Sequence, residues 1–85
     1  LLVDCDLRRP MMHEALRIGG SPGVAEAAAS GAPIHAVAVT DRLSLVPAGR
    51  ASHDPVGALT SAGVIAMLEQ GRAAFDWVVL DTPPA

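Results

Sequence analysis

The 85 residues carry nine acidic side chains against six arginines and no lysine, a net charge of -3, with 51% hydrophobic residues. That balance leaves no basic face for nucleic acid, the single cysteine cannot form an internal disulfide, and no run approaches the ~20 apolar residues of a membrane helix. Without lysine the chain cannot contain a phosphate-binding loop, which uses that residue to reach the terminal phosphates of a nucleotide.

A chain this short is one small domain at most. Its first residue lies inside an apolar run and its last falls just after a turn of active-site character, so it reads as an internal piece of a larger domain. Leu1-Leu2-Val3-Asp4-Cys5-Asp6 predicts a buried strand that delivers carboxylates to a sheet edge. Side chains two apart in a strand share a face, so Asp4 and Asp6 are expected to look one way and Cys5 the other. A short helix is predicted from Met11 to Arg17, ended by Gly19-Gly20. Ser21-Pro22-Gly23 introduces a second, alanine-rich helix from Val24 to Ser30, which Gly31-Ala32-Pro33 stops.

Val37 and Val39 alternate with small residues before a Thr40-Asp41-Arg42 turn, and Leu43 to Val46 reads as the firmer strand of the two. Gly49 to Pro55 is polar and turn-rich, a loop at the same sheet edge as the acids. Ser61 is placed to cap a longer helix from Ala62 to about Ala74, with Val64, Ile65 and Leu68 on one face and Phe75 extending it. Trp77 to Leu80 is a closing apolar strand that again ends in an aspartate, Asp81. Strands alternating with helices predict an α/β fold, a parallel sheet with helical crossovers, whose ligands bind beyond the carboxyl ends of the strands.

If the first and last strands are neighbours, Asp4, Asp6 and Asp81 converge. Magnesium takes oxygen ligands and keeps several waters while carboxylates and substrate phosphates fill the remaining positions, so these residues have the chemistry of a magnesium site for a nucleotide. A lone aspartate at a strand end is more often a terminator or a helix cap; the pairing is what singles these three out.

Leu2-Val3-Asp4-Cys5-Asp6-Leu7-Arg8-Arg9-Pro10 resembles the second nucleotide motif, Walker A′, of the bacterial tyrosine kinases of capsule and exopolysaccharide export, and Val78-Val79-Leu80-Asp81-Thr82-Pro83-Pro84 resembles their Walker B motif. Leu45-Val46-Pro47-Ala48-Gly49 and Ser21-Pro22-Gly23-Val24 are similar to two further stretches of that family. The ending is shared more widely with deviant P-loop ATPases of the MinD and ParA type. The resemblance implies a partial P-loop NTPase fold, a three-layer α/β/α sandwich running from Walker A′ to Walker B, with the lysine-bearing loop upstream. It implies ATP and Mg2+ as cofactors, Asp81 holding the ion through its water shell, Asp6 positioning it, and Asp4 facing the hydroxyl of an incoming tyrosine with part in holding the ion. It further implies protein tyrosine substrates including the protein itself, a membrane chain-length or export protein as partner or fused domain, a homo-oligomer, and a cytoplasmic position at the membrane. Two other outcomes stay open: an ATPase switch of the MinD and ParA type, and an export regulator that has lost activity.

The remaining candidates have plain readings beside functional ones. Arg8 and Arg9 suit a phosphate or an acidic neighbouring subunit, and equally a solvated helix start. Cys5 reads as a small buried hydrophobe. His13, His35 and His53 lack ligand spacing, and Met11 and Met12 read as packing. Pro83-Pro84 stiffens the turn after Asp81 and suits a switch-like loop.

Overall fold

The computed structural model describes residues 1–31, 36–50 and 54–82. His35, His53 and Pro83-Pro84 lie outside the described residues, as does Pro33. The first strand, β1 (Leu2–Asp4), is central, a position its uninterrupted apolar sequence suits without requiring it. The strand β3 (Ser44–Val46) pairs parallel to it on one side and β4 (Val79–Asp81) on the other. The register places Leu2 beside Leu45 and Val79, Val3 beside Val46 and Leu80, and Asp4 beside Asp81. These three strands are the parallel sheet the sequence predicts.

The fourth strand departs from it. β2 (Val37–Ala38) runs antiparallel to β3, so the sheet, ordered β2-β3-β1-β4, is mixed. The reason is local: five residues separate the two strands, far fewer than a parallel crossover needs. Val39 and Thr40 N–H both donate to the Leu43 carbonyl, and the Thr40 hydroxyl accepts from Arg42 N–H, closing a hairpin.

Helices α2 (Val24–Ser30) and α4 (Ala62–Ala74) cover one sheet face. Val3 and Cys5 of the β1 segment pack there with Val24, Ala27, Val46, Ala48, Val64 and Met67. α2 has the predicted bounds: Glu26 accepts from Gly23 N–H at its start, and Gly31, at φ 65°, ends it in the left-handed conformation. α4 also starts where predicted, the Ser61 hydroxyl accepting from Val64 N–H at 3.3 Å. Its inward face differs from the expected one. Val64, Met67 and Gly71 are buried, whereas Ile65 is 54% exposed, because α4 rolls so that Gly63 meets α2. A methyl group at Gly63 would overlap the Ala27 carbonyl, so the two helices cross at backbone contact.

Two elements differ from expectation in extent. The short helix α1 covers Met12–Ala15 alone, because Arg17 turns left-handed (φ 58°) and Ile18 N–H reaches back to the His13 carbonyl, two residues before the glycines expected to end it. A further helix, α3 (Pro55–Leu59), starts at the last residue of the predicted loop, in a stretch where no element is predicted. Asp54 caps it, accepting from Gly57 N–H at 3.0 Å, and Pro55 takes the first helical position, where its missing N–H costs nothing. At the end of β1, α1 engages Asp4 through the Met12 N–H. No helix among them is long and apolar enough to cross a membrane.

Candidate functional site

The site is assembled at the carboxyl end of the parallel strands. Asp4 and Asp81 are register partners on β1 and β4. In a parallel pair such residues stand side by side on one face, with backbones about 4.8 Å apart. The pairing continues one step further, with Cys5 N–H donating to the Asp81 carbonyl at 2.9 Å. Asp4, Asp6 and Asp81 all line one cavity of about 220 Å³, together with Arg9 and with Met11, Met12 and Ala15 around α1. The structure therefore brings together the three carboxylates that the strand pattern singled out.

Their surroundings differ. Asp4 is 1% exposed and forms the cavity floor. One of its oxygens accepts from Asp6 N–H (3.1 Å) and the other from Met12 N–H (3.3 Å), so it ties both the turn after β1 and the start of α1 to the strand end. Asp6 is half-buried, and its Oδ1 accepts from Arg9 N–H at 3.2 Å, which ties Arg9, another residue of the cavity lining, to the turn after β1. Asp81 is exposed. The carboxylates meet more loosely than the sequence pattern predicts: among the described residues, no group of three acidic, histidine or cysteine side chains is arranged to hold a metal ion. The donors suit instead an ion that keeps most of its waters and touches one or two carboxylates, the common habit of magnesium. Asp81 and Asp6 have open oxygens for that role, whereas Asp4 already has one backbone donor on each oxygen.

Cys5 points into the core as the alternation requires, 5% exposed. Burial, and next the charges of Asp4 and Asp81, push its thiol up to about 11, so it is an unreactive protonated side chain. Met11 does not pack as expected and is 66% exposed at the cavity mouth. Met12 is half-buried. Of the two arginines, Arg9 lines the acid cavity, and both are exposed.

Sequence reasoning passed over Glu26. Its Oε1 accepts from Gly23 N–H (2.7 Å) and its Oε2 from Arg50 N–H (3.3 Å), while Val24 and Ala25 N–H donate to the Pro47 and Ala48 carbonyls at 2.9 Å. Together these bonds clamp the Pro47–Arg50 segment onto the start of α2, at the sheet edge that carries the acids. The available signal was a glutamate three residues after a helix-start residue, half of a capping box. A larger cavity, about 520 Å³, lies between the last turns of α4 and β4, lined by Leu68, Arg72, Phe75, Trp77 and Leu80 among others. It contains none of the strand-end acids, and its size reflects the apolar side of β4 that no other described element covers.

No family model matches the sequence. Among curated proteins, a tyrosine-protein kinase EpsB of Ralstonia nicotianae, itself named as putative, is 30% identical over 87 residues, 99% of this chain and 12% of that protein. The tyrosine-protein kinase CpsD of Streptococcus agalactiae is 28% identical over 88 residues, 99% of this chain and 38% of its own length. Among solved structures, the VpsO kinase domain superposes with a TM-score of 0.82 at 30% identity, over 98% of this chain and 43% of that one. This chain is a relative of the bacterial tyrosine kinases. The kinase domain of the Escherichia coli tyrosine kinase ETK shares the fold, with a TM-score of 0.88 at 23% identity over 98% of this chain and 34% of that domain. The α/β fold is thus that of a bacterial tyrosine kinase domain, of which these residues span less than half, and they span about an eighth of the EpsB relative's length.

Proposed function

We propose that residues 1–85 form the acceptor side of an ATP-dependent tyrosine kinase domain, part of a longer protein that acts in capsule or exopolysaccharide production. The observation that carries this reading is the cavity floored by Asp4 and flanked by Asp6 and Asp81 at the ends of adjacent parallel strands, in a chain whose relatives are named tyrosine kinases.

In the proposed reaction the tyrosine oxygen forms a bond to the terminal phosphorus of ATP, the bond from that phosphorus to the bridging oxygen breaks, and ADP leaves with the electron pair. The phenolic proton leaves the acceptor oxygen for a carboxylate. Such transfers depend mainly on positioning and charge stabilisation. A carboxylate offers about four acceptor positions, and the backbone occupies one on each oxygen of Asp4. The remainder can receive the hydroxyl, and those same bonds hold Asp4 still while it does so. Asp81 and Asp6 would hold magnesium, which neutralises phosphate charge when bound. The lysine for the phosphates must come from another part of the protein, because this chain has none.

The same reading places the protein on the cytoplasmic side of the membrane beside a chain-length or export partner, modifying protein tyrosines that include its own, as a homo-oligomer. The deciding experiment is phosphotyrosine detection on the full-length protein with ATP and magnesium, comparing wild type with Asp4→Ala and Asp81→Ala. Phosphotyrosine in the wild type alone is expected. ATP hydrolysis with no phosphotyrosine would replace the kinase by an ATPase switch of the MinD and ParA type, and neither activity would leave an inactive export regulator.

A further inference from the structure

Met11 is a large apolar side chain that the core does not use. It stands 66% exposed at the mouth of the acid cavity, while the half-buried Met12 continues the same wall inward and the exposed Ala15 lines it beside them. The wall is held in place by the site itself, since Met12 N–H donates to Asp4 Oδ2 at 3.3 Å and Ala15 N–H to the Met11 carbonyl at 3.1 Å. Opposite it stand carboxylates, with the exposed Arg9 at the rim.

A phosphate or a hydrated ion gains nothing from a methionine wall. An aromatic ring does, through buried area and favourable sulfur–aromatic contacts. A group with an apolar ring and one hydroxyl at its far end matches the cavity from mouth to floor: ring against Met11 and Met12, hydroxyl towards Asp4. We infer that Met11 and Met12 form the seat of the acceptor ring, with Met11 a specificity-determining residue that favours tyrosine over serine. This inference rests on the kinase reading above. It adds that the choice of acceptor is made by the α1 wall, whereas the acids serve the transfer itself.

A serine peptide places its hydroxyl one carbon from the backbone and leaves the wall uncovered, so it forfeits the contact whatever the acids do. A polar side chain at position 11 weakens the seat, and a leucine preserves it. The test uses the full-length protein with a synthetic peptide carrying one tyrosine and its serine counterpart. Met11→Gln should raise the KM for the tyrosine peptide, relative to the KM for ATP, by about tenfold, the order expected when an apolar pocket loses a contact, with kcat changed much less. Met11→Leu should remain within about twofold of wild type.

Because Met11 is exposed, its substitutions are expected to leave the unfolding midpoint in place, which keeps the comparison interpretable. Tyrosine phosphorylation by the wild type with an unchanged peptide KM in Met11→Gln would overturn this inference alone, as would a fall in kcat with no change in KM. A wild type that hydrolyses ATP but leaves the tyrosine peptide unmodified would remove the kinase reading and this inference together.

Discussion

β1 and β4 are written alike, each an apolar run closed by an aspartate, and the fold treats them in opposite ways. β1 is the central strand: Val3 is fully buried and Asp4 is 1% exposed. β4 has β1 as its one neighbour among the described residues, with Val79 55% and Leu80 45% exposed, Trp77 79% exposed just before it, and Asp81 open. The same motif therefore supplies two kinds of carboxylate to one cavity: Asp4 is built into the backbone framework, and Asp81 is presented to whatever binds. Under the proposed kinase reading, the first supplies rigidity and the second is free to meet a hydrated ion.

The largest effect should separate those two roles. Asp81→Asn in the full-length protein should lower phosphotyrosine formation by about 100-fold or more, the scale of removing one electrostatic contributor to a transition state, and leave the unfolding midpoint unchanged. Asp4→Ala should match that loss and also cost about 2–3 kcal/mol of stability in denaturant unfolding, because Asp6 and Met12 N–H lose their charged acceptor. Equal stability of the two variants would break the comparison.

A smaller effect tests the strands without touching the acids. Val3→Ala removes fully buried methyl groups from the cluster that includes Val46, Val64 and Met67, and should cost about 2 kcal/mol. The matched Val79→Ala, on the exposed strand, should stay within about 0.5 kcal/mol in the 85-residue chain. A larger loss for Val79→Ala in the full-length protein than in that chain would show that β4 is covered there, turning the edge strand into a second central one.

The sequence made much of this legible, for physical reasons that can be named. Alternation along β1 put Cys5 inward and the acids on the other side, and the turn chemistry of Gly23, Gly31 and Ser61 gave the bounds of α2 and α4. Central against edge position was not legible, because Val78-Val79-Leu80 is as apolar as Leu1-Leu2-Val3 and only the pairing decides which is covered. The antiparallel pairing of β2 with β3 was not legible because the alternation of strands with helices along the chain points to parallel pairing, although the five residues between these two strands are too few for a crossover. The roll of α4 was hidden because Ile65 looks like a core residue, while the contact that sets the roll is made by Gly63, which has no side chain to show it.

That contact gives a prediction whose sign opposes the usual one. In an exposed helix interior Gly→Ala stabilises by up to about 1 kcal/mol. At Gly63 the added methyl would overlap the Ala27 carbonyl, so α2 and α4 must separate, and Gly63→Ala should destabilise by about 1–3 kcal/mol, the cost of overpacking. Gly63→Ala with raised stability in denaturant unfolding would mean that the helices do not meet at this point.

The smallest effect is silent at neutral pH and follows from the same strand ends. Burial first, and then the charges of Asp4 and Asp81, raise the Cys5 thiol from 9.0 to about 11 in the folded protein. Between those values the unfolded chain has lost this proton and the folded chain keeps it, so the folded state binds more protons and stability falls as pH rises. The contribution is fully present below about pH 9 and is lost towards pH 11. The stretch has neither lysine nor tyrosine, the other side chains that ordinarily ionise in that window. Denaturant unfolding of wild type and Cys5→Ala from pH 7 to 11 should therefore give a difference that is constant to about pH 9 and then changes as the wild type loses stability. A difference that stays flat to pH 11 would show that Cys5 is neither buried nor beside charged Asp4 and Asp81, and the contrast between the two aspartates would have to be redrawn with an open β1 end.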